Sequence, residues 1–134
     1  MDLPYLRRVA AHVLHALGLE PQEASIVFIS DRRMASLNLE FRGKAGPTDV
    51  LSFGETGLEG TLGDVFISAE TAARQAQQAG HSPRRESAIL LLHGLLHLAG
   101  YDDGSAAERA RMWRRQEVLL RAAQATAWAG LSEP

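Results

Sequence analysis

The sequence contains no cysteine and a single lysine, Lys44, and only 6% of it is aromatic. Without cysteine there can be no disulfide, thiolate metal site or thiol nucleophile, which agrees with a reducing intracellular setting. No apolar run approaches the roughly 20 residues needed to cross a bilayer, and residues 1–18 lack the ordered basic, apolar and small-residue segments of a signal peptide. The expectation is a cytoplasmic protein that makes no membrane contact. A dominant charge is missing too: 16 acidic residues against 14 basic ones give a net charge of -2. A general basic coat for nucleic acid is thereby excluded. Apart from Lys44, however, every basic residue is Arg, which grips phosphate bidentately, so any RNA or DNA contact must be local.

The chain has 134 residues, of which 46% are hydrophobic, enough for one compact domain spanning 1–134 and too few for two. No linker, repeat or low-complexity run divides it. Apolar residues at Leu6, Val9, Ala10, Val13, Leu14 and Leu17 form a helical stripe closed by Gly18. A buried strand follows at Ile26–Ile29. Ser30 or Asp31 can cap a helix through Met34, Leu37, Leu39 and Phe41, which Gly43, Gly46 and Pro47 break. Strands are expected at Val50–Phe53 and Gly63–Ile67, joined by an exposed turn over Gly54–Gly60. Ser68 caps a helix ending near Gly80, and Ser82-Pro83 opens the most apolar helix, which Gly100 ends. Ser105 and Glu108 have capping-box spacing and begin a last amphipathic helix through Met112, Val118, Leu119 and Leu120. Five helices and three or four strands make an α+β domain with a small mixed sheet.

The chemistry concentrates in His93-Gly94-Leu95-Leu96-His97-Leu98-Ala99-Gly100-Tyr101-Asp102-Asp103. Two His at i and i+4 lie one above the other on a helix face, where both imidazoles reach one ion. Gly100 permits a left-handed turn that brings Asp103 back to the same point. Chance produces a lone His pair often enough that the pair needs support. It comes from context, since unpaired imidazoles in the most apolar helix would be costly. The metal site therefore falls at the C-terminal end of a buried helix. The ligand intervals match those of metzincin proteases, but Gly94 stands where such a protease needs its Glu base and would instead leave space beside the metal. Peptide hydrolysis is disfavoured.

With Asn38, Arg42-x-Lys44, Pro47-Thr48-Asp49-Val50-Leu51-Ser52-Phe53 and Leu62-Gly63-Asp64-Val65-Phe66-Ile67-Ser68 upstream, and Glu108 and Met112 downstream, the histidine segment resembles the bacterial endoribonuclease YbeY family. The likeness spans most of the chain in order. It implies a metal-dependent, single-strand-preferring RNase that matures the 3′ end of small-subunit rRNA and serves ribosome quality control. It also implies one zinc-like ion on three His. His93 and His97 carry over directly, but the third ligand falls on Asp103. A carboxylate is an ordinary zinc ligand, and its charge and hardness should relax selectivity towards other divalent ions. Asp102, one residue away, is the competing ligand, with a turn residue as its plain structural role.

The resemblance singles out Arg42 as the catalytic and RNA-contacting guanidinium that offsets charge on the scissile phosphate, with Lys44 a weaker phosphate contact. Asp49 and Ser52 read mainly as strand-entry residues that could line a cleft. Met112 and Trp113 read as packing, and Arg84-Arg85 and Arg114-Arg115 as solvated faces able to grip rRNA. His12, His15 and His81 carry no motif, and no side chain is an evident general base. Expected partners are single-stranded RNA and rRNA, the ribosome or its proteins, and a ribosome-associated GTPase. The alternative is a ribosome assembly factor with a structural metal and little catalysis.

Overall fold

A computed structural model describes residues 2–54 and 60–127. The chain runs α1 (Leu3–Ala16), β1 (Glu23–Ile29), α2 (Asp31–Arg42), β2 (Val50–Gly54), β3 (Thr61–Ser68), α3 (Ala69–Ala79), α4 (Pro83–Leu98) and α5 (Ala106–Ala127). Among the described residues the sheet has three strands in the order β1-β3-β2, β1 parallel and β2 antiparallel to β3. This is the α+β fold with a small mixed sheet that the sequence implies. Most of the expected 54–60 turn lies outside the described residues.

Alternation along the strands separates two cores. Val65 and Ile67 of β3 point to the main core against α1, α4 and α5, while Phe66 joins Leu51, Phe53, Met34 and Leu37 in a smaller one beneath α2. Helix α4 is central, touching α1, α3, α5, β2 and β3. That explains why it is apolar around most of its circumference: Leu91, Leu92, Leu95 and Leu96 are fully buried, each contributing about 1.5–3 kcal/mol.

The helix starts obey their caps. Hydroxyls of Ser30, Ser68, Ser82 and Ser105 accept backbone N–H bonds from Arg33, Thr71, Arg85 and Glu108 at 3.1–3.3 Å. Gly43 and Gly80 close α2 and α3 in the left-handed region. One expectation fails at the α4 start. Arg84 is no solvated RNA grip: its guanidinium pairs with Asp2 at 2.7 Å and lies 5.1 Å over the Tyr5 ring, tying α4 to the start of α1.

Candidate metal centre and cleft

The last two turns of α4 carry His93 and His97, whose Nε2 atoms face each other at 3.1 Å. After Leu98 the backbone turns through Gly100 at φ 101°, a conformation other residues resist. The returning segment sets Asp103 Oδ2 3.7 Å from His97 Nε2. Ligand-capable atoms of His93, His97 and Asp103 all lie within 4.8 Å of one another. Asp102 is used differently, its Oδ1 accepting backbone N–H bonds from Asp103 at 2.7 Å and Gly104 at 3.2 Å. It shapes the turn that presents its neighbour.

The donor set fits a divalent cation. Burial, reinforced by the nearby His97, holds the His93 pKa below its ordinary 6.5, so its imidazole is neutral and offers a lone pair. Which nitrogen offers it is set from α5: Gln116, 5% exposed, places Oε1 3.2 Å from His93 Nδ1. The oxygen accepts the Nδ1 proton, leaving Nε2 free towards His97 and Asp103. Gln116 was not singled out in the sequence. Its signal is a polar residue within the buried α5 stripe of Met112, Leu119, Leu120 and Ala123.

Gly94 serves a purpose other than space beside an ion. A Cβ there would stand 2.6 Å from Val65 Cγ1 and 3.0 Å from Ser52 Oγ, so the residue faces the sheet. Its carbonyl accepts a 3.1 Å bond from the Ser52 hydroxyl. The close approach of α4 to β2 and β3 fixes the height of both histidines over the strand edge.

A cavity of about 350 Å³ opens in front of the three groups, lined also by Arg42, Thr48, Asp49, Val50, Leu51 and Ser52. Asp49 and Ser52 thus border the cleft, Asp49 with Oδ1 held by the Val50 N–H at 2.8 Å. Arg42 reaches it from the last turn of α2. One helical turn earlier, buried Asn38 donates from Nδ2 to the Gly46 carbonyl at 2.8 Å, pinning the loop that follows. Lys44, on that loop, is exposed and absent from the cavity lining. Trp113 departs from its expected packing role: it is 58% exposed, whereas Met112 is buried as expected. Among the other histidines, His15 pairs with Glu20 and His81 with Glu86, away from the cleft.

The sequence profile of the endoribonuclease YbeY family matches residues 4–124. A protein of Pelotomaculum thermopropionicum named endoribonuclease YbeY is 47% identical over 124 residues, covering 86% of this chain and 82% of the relative. One of the same name from Thermobifida fusca is 41% identical over 130 residues, covering 89% and 84%. A Thermotoga maritima protein solved in solution superposes with a TM-score of 0.67 at 22% identity, covering 100% of this chain and 93% of its own.

Proposed function

Because the chain belongs to the endoribonuclease YbeY family, we propose that it is a metal-dependent endoribonuclease that cuts single-stranded RNA during rRNA maturation, at the 3′ end of the small-subunit RNA, and in ribosome quality control. Family membership supports the coarser reading, an RNA-cleaving hydrolase of rRNA processing. The observation that supports metal dependence is the convergence of His93, His97, Asp103 and Arg42 on one cavity, while the rRNA site and the quality-control role follow from the family resemblance. The whole chain, 1–134, would act as one domain in the cytoplasm, with the ribosome, its proteins and a ribosome-associated GTPase as partners.

His93, His97 and Asp103 would hold one divalent ion, zinc first. Such an ion supplies Lewis-acid polarisation and positive charge to a phosphate oxygen. Arg42 would grip the scissile phosphate through its planar fork and offset the charge that builds on the phosphorane oxygens. Gln116 would keep His93 in the ligating tautomer. Asp49 also borders the cleft, its carboxylate held by the Val50 N–H and by Gln75 of α3. A peptidase reading lacks its base, since position 94 faces Val65 and not the cleft.

The test is cleavage of a single-stranded rRNA 3′-end substrate by metal-loaded protein beside identically purified His97→Ala. Loss of cleavage in the variant is the expected result. Equal cleavage by both, or rRNA maturation restored in a null strain by folded, inactive His97→Ala, would favour the assembly-factor reading. Cyclic phosphate at the product 3′ ends would identify the RNA 2′-hydroxyl as nucleophile.

A further inference from the structure

Arg109, Met112, Trp113 and Gln116 recur at the i, i+3, i+4, i+7 spacing that lines up one helix face. On α5 this face meets His93 and Asp103 around a second cavity of about 160 Å³. His93 and Asp103 line both cavities, so the two adjoin at these candidate ligands. Within the stripe the burial alternates in kind. Met112 and Gln116 are buried, whereas Trp113 is 58% exposed and Arg109 lies at the surface. Arg109 is anchored: its guanidinium donates to the Asp103 carbonyl at 3.2 Å.

Packing does not account for a largely exposed indole at this place, and a flat π-face beside a phosphate-cleaving centre is what unstacked nucleobases use. We propose that Trp113, flanked by Arg109, is a base-stacking subsite for a nucleotide adjoining the scissile phosphate of the RNA substrate. The inference rests on the endoribonuclease reading and adds a positioning surface to it. Phosphate lies in the Arg42 cavity and a neighbouring base in the Trp113 cavity, so the strand crosses the ligand trio. Because every base has a π-face, the subsite selects for unpaired strand and not for sequence.

The test combines Trp113→Ala and Trp113→Phe with unstructured oligoribonucleotides carrying one abasic nucleotide, moved stepwise past the cut. Trp113→Ala is expected to raise KM about tenfold with kcat little changed, and Trp113→Phe to restore it. An abasic site at one flanking position should raise the wild-type KM by a similar factor and cost Trp113→Ala nothing further. Equal KM values, or costs that simply add at every position, overturn the subsite. The exposed position makes an unfolded variant unexpected, and a thermal melt checks it. A second readout is independent of cleavage. In a Trp128→Phe background Trp113 is the sole indole, and its fluorescence should quench saturably with the intact oligoribonucleotide and more weakly with the abasic one. Quenching by a protein that cleaves nothing would keep the subsite and sink the nuclease reading. Cleavage with no quenching and no change in KM would do the reverse.

Discussion

At the scale of single residues, the site depends on side chains that hold others in place. Removing the Gln116 acceptor by Gln116→Ala leaves His93 Nδ1 without a partner in a buried setting, and the imidazole can then rotate or take the wrong tautomer. Metal affinity should fall about 10- to 100-fold, read by competition with a chromophoric chelator, while Gln116→Glu retains an acceptor and most of the affinity. Unchanged affinity in Gln116→Ala would remove the residue from the centre. Arg42 acts on the substrate side. Arg42→Ala should lower kcat by about 10²- to 10³-fold and leave metal content unchanged, and Arg42→Lys should recover part of the loss, since an ammonium supplies charge without the planar fork.

The histidines were readable because i and i+4 share a helix face whatever the surrounding fold. Asp103 followed from Gly100, whose backbone freedom is written in its residue type. Gln116 and Trp113 were another matter. Their relation to His93 spans 23 residues for Gln116 and exists only because α5 packs back on α4. Helical periodicity cannot distinguish a stripe lining a cavity mouth from one sealed in the core.

At the scale of elements, two contacts fix the parts of the cleft relative to one another. The first is Gly94 against Val65. Gly94→Ala forces its new methyl into a fully buried neighbour and should cost about 1–3 kcal/mol of stability, seen in chemical denaturation. Any folded protein that remains should bind metal less tightly, because α4 must lift from the sheet edge. A fully stable variant with normal metal binding would refute this account of the close approach.

The second contact is Asp31 at the start of α2. Its Oδ1 accepts from the Ser68 hydroxyl at 2.5 Å and the Thr71 hydroxyl at 2.6 Å, and Arg74 pairs with Oδ2 at 2.8 Å. In return, the Asp31 N–H donates to Glu70 at 2.8 Å. The two hydroxyl bonds, and then Arg74, lower its pKa from 3.8 to about 2. A carboxyl held below its unfolded value stabilises the fold above that value and loses the contribution as pH falls towards the folded one. Asp31→Asn should therefore be less stable than wild type by about 1–2 kcal/mol at neutral pH. The gap should close between about pH 4 and pH 2, as measured by denaturation at each pH. A gap that does not vary with pH would assign the cost to shape and not charge.

Strand ends show why the element scale was only partly legible. β1 begins at Glu23, three residues before the expected start, because Glu23 and Ser25 look polar in sequence. As an edge strand β1 can expose them while its backbone pairs with Thr61 and Asp64 of β3. Caps are local and legible in sequence; strand order and register depend on remote partners, and the sequence implies only a small mixed sheet.

For the whole molecule, the candidate metal centre joins the end of α4 to the segment that leads into α5, with α5 itself contributing Gln116. An ion bound only by this folded arrangement must stabilise it, by about 2.7 kcal/mol when free metal is a hundredfold above its dissociation constant. Titrating zinc into chelator-stripped protein should therefore raise the thermal midpoint in a concentration-dependent way, and His97→Ala should remove most of the rise. Asp103→Ala should weaken it, because the remaining pair of imidazoles sits on one helix and no longer ties α4 to the following turn. Comparing cobalt, manganese and zinc then separates the ligand types: with a carboxylate third ligand the midpoints should lie closer together than in Asp103→His, where nitrogen donors favour zinc over manganese. A rise unaffected by both substitutions would place the ion elsewhere, and with it the premise that α4 and the Asp103 turn close on a common centre.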